Sequence, residues 1–267
     1  GNWIVREIEA PTGFVLSDET FAVTVDKDDA VIEVEIENTL IRGTVQLTKV
    51  DKDYPDNKLS GAVFEVYSDT NGDGKLDKDD TLLGEMKELD GGVYQMSELR
   101  YGKYLVKETK APTGFVLDED VYAVSIEENG KTYTVENKAG VGFINAAQKG
   151  SLKIVKTSSD GKVEGFSFRV TGVDYDQTFK TDKNGEIVIE GLRIGDYTVS
   201  EVSDKASAGY ILPADKQATV KVNATAIVQM HNEFRDTPKT GDDFNLGLWV
   251  SLAALSVVGA GVLGFVG

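Results

Sequence analysis

The chain of 267 residues contains no cysteine and a single histidine, His231. Without thiols there is no disulfide brace and no thiolate nucleophile. A lone histidine leaves no His/Ser/Asp or His/Glu cluster for hydrolysis or zinc binding. Its phase, opposite to that of Asn232 in an alternating segment, places it on the surface. Basic residues are outnumbered: 28 Lys and Arg against 45 Asp and Glu give a formal net charge of −17. Such a chain is soluble, self-repelling and a poor ligand for nucleic acid or anionic membrane. Helical periodicity is missing outside the C-terminal tail. The N-terminus, from Gly1 to Glu7, has neither a basic n-region nor an apolar h-region, so it is read as starting inside a larger protein.

What is present is a repeat. Residues 10–16 read APTGFVL, and residues 111–117 read the same. The match extends to 3–23 against 104–124, and a weaker third copy, YTVSEVSDKASAGYIL, spans 197–212. A second signature closes each copy: VEIEN at 34–38, VGFIN at 141–145 and VQMHN at 228–232. Asn38 is followed by Gly43 and Lys49, and Asn145 by Gly150 and Lys156, with 11 residues from Asn to Lys each time. These marks divide the chain into 1–42 (the back part of a unit), 43–149, 150–235 and a tail, 236–267.

Segments 44–50, 62–67, 121–126 and 165–170 alternate apolar and polar residues at period two, and Gly-, Asp- and Asn-rich turns separate them. The pattern predicts an all-β chain of tandem antiparallel β-sandwiches, immunoglobulin-like or prealbumin-like, of about 85–105 residues each.

Each complete unit carries a Lys in its first strand, a Glu in a middle strand and an Asn in its last. These are Lys49, Glu108 and Asn145, then Lys156, Glu201 and Asn232. The first unit keeps Glu7 and Asn38. Lys49 is in phase with Val45 and Leu47, Glu108 with Tyr104 and Val106, and Asn145 with Val141 and Phe143, so all three point to the apolar face. Burying three polar groups is unfavourable unless they satisfy one another. Burial also pushes a Lys toward its neutral amine and a Glu toward its acid. That amine can attack the Asn carboxamide while the Glu polarises the carbonyl and relays protons, and ammonia leaves. The product is an isopeptide bond joining first and last strands.

These residues resemble the SpaA-like and Cna B-type domains of Gram-positive pilins and adhesins. Residues 104–115, YLVKETKAPTGF, match that family's Glu-containing box, Tyr-x-Leu-x-Glu-Thr-x-Ala-Pro-x-Gly-Tyr, with two conservative changes. The resemblance implies Lys49–Asn145 and Lys156–Asn232 bonds promoted by Glu108 and Glu201. The third unit departs from the box in lacking Ala-Pro. Glu7 sits in a well-matched box without a Lys partner in this sequence.

Residues 69–80 read DTNGDGKLDKDD. Asp69, Asn71, Asp73, Asp77 and Asp80 fall at positions 1, 3, 5, 9 and 12 of an EF-hand-type loop, with Gly74 at position 6. Oxygen ligands at this spacing suit Ca2+, and no other cofactor is expected. The Lys-to-Glu separation is 59 residues in the second unit and 45 in the third, so the loop reads as an insertion between strands. Asp53 to Lys58 reads as a turn.

The tail holds Thr237-Pro238-Lys239-Thr240-Gly241, which resembles the LPXTG sorting motif with Thr for Leu. An apolar run from Leu246 to Val266 follows, long enough to span a bilayer. The basic end of such signals is missing, which reads as truncation. The resemblance implies sortase cleavage between Thr240 and Gly241 and transfer to a peptidoglycan precursor or another pilin subunit. Membrane insertion of 246–266 is then transient, and the protein ends covalently attached to the cell wall. The leading reading is a non-enzymatic stalk or pilin segment at the cell surface. Two others stand beside it: an adhesin module that binds a host extracellular ligand, and the stem of a larger surface enzyme.

Overall fold

The computed structural model describes residues 1–235. The sorting-type motif with Thr240 and Gly241, and the apolar run 246–266, lie outside the described residues. Two compact units divide the described residues, the first dominated by residues 1–152 and the second by 153–188, 197–218 and 227–235.

Residues 43–149 form a two-sheet sandwich. One sheet orders its strands Val121–Ile126, Gly102–Lys110, Val63–Ser68, Thr81–Glu85. The other orders Thr132–Thr134, Arg42–Asp51, Val93–Arg100, Lys87–Glu88, and Phe143–Asn145 also pairs with Arg42–Asp51. The expected alternation is realised: in Arg42–Asp51, Val45 and Leu47 have no solvent exposure while Thr44 and Gln46 are half-buried. Phe64 is central to the core, edge-on to Tyr94 and Phe143 with ring centroids 5.1 and 4.9 Å away.

Two expectations need correction. The sandwich is not purely antiparallel, because Thr132–Thr134 and Phe143–Asn145 both run parallel to Arg42–Asp51. The chain crosses into the facing sheet as Val121–Ile126 and re-enters beside the first strand in the same direction, as a crossover connection allows. Val141 does not share the inward face with Asn145. It lies exposed in the turn formed by Lys138 and Gly142, and the strand proper begins at Phe143. Residues 34–38 form no ladder, and Asn38 precedes a two-residue strand, Thr39–Leu40.

The third sandwich has one sheet ordered Glu186–Arg193, Lys149–Ser158, Thr225–Phe234, Tyr210–Ile211. The other is ordered Tyr175–Lys180, Ser167–Gly172, Gly195–Val202, Lys216–Val220. Its hairpin from Ser167–Gly172 to Tyr175–Lys180 turns in two residues, with Asp174 at φ 51°. The equivalent hairpin of the second sandwich connects through the twelve residues 69–80, so the acidic loop does extend a common hairpin. In residues 1–42, Asn2–Arg6 pairs with Thr20–Thr24 and Phe14–Val15 with Thr39–Leu40.

The recurring glycine has a spatial cause. A Cβ on Gly43 would sit 3.1 Å from Lys131 O and 2.9 Å from Ile126 Cγ2. On Gly150 it would sit 2.2 Å from Lys221 O. Each lies six residues before its Lys, where the first strand is pressed against neighbouring backbone.

Candidate functional site

Three side chains meet in the second sandwich. Lys49, Glu108 and Asn145 are all buried, as their phase predicts. Lys49 Nζ donates a short hydrogen bond to Asn145 Oδ1 and lies 3.3 Å from Glu108 Oε1. Asn145 Nδ2 donates to Glu108 Oε1 and Oε2 at 3.0 and 2.9 Å. The Lys49 nitrogen also stands over the Phe143 ring, 4.6 Å from its centroid. Burial outweighs the attraction of Glu108 and pulls the Lys49 amine down from 10.5 to about 8. At pH 7 about a tenth of the amine is therefore neutral, far more than for an ordinary lysine.

Glu108 makes contacts that differ from those expected of a group that polarises the Asn145 carbonyl. It touches the amide nitrogen of Asn145 rather than the carbonyl oxygen. One carboxylate oxygen, Oε1, reaches both Lys49 Nζ and Asn145 Nδ2. A carboxylate so placed can take a proton from the first and pass it to the second.

The Glu box is readable as a splint. In the first unit Phe14 N–H donates to Pro11 O at 3.0 Å, and in the second Phe115 N–H donates to Pro112 O at 3.1 Å. Both turns carry a Gly at positive φ, 87° at Gly13 and 86° at Gly114, where a side chain is disfavoured. The third unit keeps the turn without the proline, since Tyr210 N–H donates to Ser207 O at 3.0 Å. The aromatic after each turn then pairs with the residue two beyond the Asn: Phe14 with Leu40, Phe115 with Ala147 and Tyr210 with Phe234. The turn thus fixes the end of the last strand and sets its Asn over the Glu.

Sequence reasoning missed a backbone donor. Asp118 N–H donates to Glu108 Oε2 at 2.8 Å, and Ser17 N–H to Glu7 Oε2 at 2.8 Å. Both donors lie ten residues after their Glu, directly after the shared FVL, which was the available signal.

The other two units are arranged differently. In the first, Asn38 Nδ2 donates to Glu7 Oε2 at 2.7 Å and to Val15 O at 3.1 Å, with both side chains half-buried. In the third, Asn232 Nδ2 donates to Glu201 Oε1 at 2.7 Å. Lys156 is buried above the Phe166 ring, 4.1 Å from its centroid, but its amine donates to Thr157 O rather than to Asn232. Asn232 Oδ1 and Glu201 Oε2 consequently have no hydrogen-bond partner. Burial lowers the Lys156 pKa and raises that of Glu201. His231 is exposed and meets Thr157 Oγ1 at 2.8 Å.

The acidic loop folds on itself. Asp69 accepts from Gly72 N–H and Gly74 N–H, Asn71 from Asp73 N–H, Asp73 from Lys75 N–H, Asp77 from Asp79 N–H, and Asp80 from Thr70 and Asp77 N–H. Among the described residues no three His, Cys, Asp or Glu side chains converge as a metal-binding group.

Comparison with known proteins fits this fold. The model of the SpaA prealbumin-like fold domain matches residues 1–40, 43–139 and 150–234. No curated protein matches the chain. Among solved structures, the Bacillus anthracis TIE protein superposes with a TM-score of 0.65 at 26% identity. The alignment covers 88% of this chain and 42% of that one, so this chain spans less than half of that relative's length. GBS52, the minor pilin of Streptococcus agalactiae, aligns over 74% of this chain and 98% of its own, at 18% identity and a TM-score of 0.33. The shaft pilin SpaA of Lactobacillus rhamnosus GG aligns over 72% and 98%, at 16% identity and a TM-score of 0.34. With its two-sheet sandwiches and three matched segments, the chain belongs to the SpaA prealbumin-like fold domain family.

Proposed function

We propose that the chain is the structural stalk of a Gram-positive cell-surface protein, built from β-sandwiches that cross-link themselves. The observation that carries this reading is the buried contact of Lys49 with Asn145 and Glu108. The neutral Lys49 amine attacks Cγ of Asn145, forming the new C–N bond. Glu108 accepts a proton from the attacking nitrogen and delivers it to Nδ2, and the old C–N bond breaks as ammonia leaves. Lys156, Glu201 and Asn232 take the same parts in the third unit once Lys156 swings from Thr157 O toward Asn232. The partnerless Asn232 Oδ1 and Glu201 Oε2 are the groups such a swing would satisfy.

The mechanical logic follows from the parallel pairing. Tension enters at the start of the first strand and leaves at the end of the last. A covalent bond between those strands carries it past the core. For this reading the units are 43–149 and 150–235, and the sorting-type tail anchors the stalk: sortase cleaves between Thr240 and Gly241 and joins Thr240 to a wall precursor or a pilin lysine. The calcium role of loop 69–80 rests on its ligand spacing alone.

Intact-mass spectrometry of the full chain tests the reading. Each isopeptide bond lowers the mass by about 17 Da, the ammonia lost, so two bonds lower it by twice that. An unshifted mass would sink the cross-link. For the tail, a Gly241→Pro chain that a sortase still attaches to wall material would refute the assigned cleavage point.

A further inference from the structure

In the second sandwich the reactive Asn sits on an unusually weak support. Its strand is only three residues long, Phe143–Asn145, and it is hydrogen-bonded to Arg42–Asp51 along one edge. In the third sandwich Asn232 sits within an uninterrupted ten-residue strand, Thr225–Phe234. Beyond Asn145 the chain is pinned by Val116 N–H to Ala146 O and by the Phe115–Ala147 bridge, but within Phe143–Asn145 the backbone pairs on one side only, and a shift of about 1 Å at a reacting atom can lower a rate by two orders of magnitude.

The other edge of Phe143–Asn145 is held by one side chain. Asn137 Oδ1 accepts from Ile144 N–H at 2.6 Å, and Asn137 Nδ2 donates to Ile144 O at 2.8 Å. The amide thereby imitates a neighbouring β-strand for the residue next to Asn145. The second hydrogen of Asn137 Nδ2 goes to Asp118 Oδ2 at 2.6 Å, which also accepts from Tyr122 O–H at 2.8 Å. Asp118 is the residue whose own N–H orients the Glu108 carboxylate. The acid and the amide are therefore tied to one hub, with Tyr122 packed edge-on against Phe143 at 5.0 Å between centroids.

We infer that Asn137, braced by Asp118, is a positioning residue for the cross-link of the second sandwich, aligning Asn145 and Glu108 without touching the reacting atoms. This rests on the isopeptide reading above. The third sandwich has no need of it, because its long last strand supplies the same alignment through backbone pairing.

The test follows bond formation over time in the full chain, newly made by cell-free translation and quenched in denaturant. Fragment masses separate the Lys49–Asn145 link from the Lys156–Asn232 link. Asn137→Asp places two carboxylates at the 2.6 Å contact and is expected to slow the first link by roughly tenfold or more. The second link, as internal standard, keeps its rate. Asn137→Asp with Asp118→Asn relieves that carboxylate repulsion but sets a carboxylate oxygen against Ile144 O in place of the donated bond, and is expected to stay slower than wild type. Near-native circular dichroism at the assay temperature shows that the loss is not unfolding. Wild-type speed in the single variant or in the exchanged pair would overturn the positioning role. No mass loss even in the wild-type chain would instead overturn the isopeptide reading itself.

Discussion

Replacing Glu108 by Ala tests the second sandwich most directly. The proposed bond joins residues 96 apart in sequence. By the loop-entropy relation for cross-links, closing a loop of that size stabilises the fold by about 4.7 kcal/mol. Removing the acid forfeits that and leaves the Lys49 amine and the Asn145 amide buried with a partner missing, a further ~1–3 kcal/mol. The total of about 6–8 kcal/mol is comparable with the whole stability of an ordinary domain. With an unfolding entropy of about 0.2 kcal/mol/K for a domain of this size, the melting transition should fall by about 30 °C. Asn145→Ala also blocks the bond but keeps the Lys49–Glu108 contact, so it should lose mainly the loop-entropy part, about 20 °C. Intact mass reports bond loss and differential scanning calorimetry reports the transition. A Glu108→Ala chain that still sheds two ammonias, or one that sheds one and melts within a few degrees of wild type, would refute the reasoning.

Other outcomes follow from the same geometry. With the Lys49 amine near pKa 8, the rate of its cross-link should rise with pH up to about 8 and level off above, since only the neutral amine attacks; a flat profile between pH 6 and 8 contradicts this. In Asn145→Ala the free Lys49 binds a proton more weakly folded (about 8) than unfolded (10.5), so stability should increase as pH rises from 8 to 10.5. Urea denaturation at the two ends of that window checks the sign. Gly150→Ala would drive a Cβ to 2.2 Å from Lys221 O, and overpacking of that severity should cost about 3 kcal/mol, read as a lower urea midpoint at constant slope. If loop 69–80 holds calcium, a chelator should lower the melting temperature of the second sandwich and Asp69→Ala should abolish the response; an unchanged melting curve removes the metal from the account.

The inward phase of Lys49 and Glu108 was legible because alternation along a strand fixes which face a side chain takes. Asn145 was placed correctly for a partly mistaken reason, since Val141 belongs to a turn. The two-residue period cannot show where a strand begins. The acidic loop was legible as an insertion because its length differs between repeats, yet ligand spacing says nothing about which donors the carboxylates choose. The splint made by APTGFVL was visible as a repeat but not as a device. Its pairing of Phe14, Phe115 and Tyr210 with residues two beyond each Asn joins segments that only the fold brings together.

The sequence by itself determined that the chain is all-β, that it repeats, and that each complete repeat buries a Lys, a Glu and an Asn. Those facts are local, set by periodicity and by residue type. Only the tertiary structure decided that first and last strands run parallel, that Glu108 faces Asn145 Nδ2 rather than its carbonyl oxygen, and that Lys156 donates to Thr157 O rather than to Asn232. These are matters of strand direction and rotamer across contacts between residues 31 to 96 apart, and no short-range pattern encodes them.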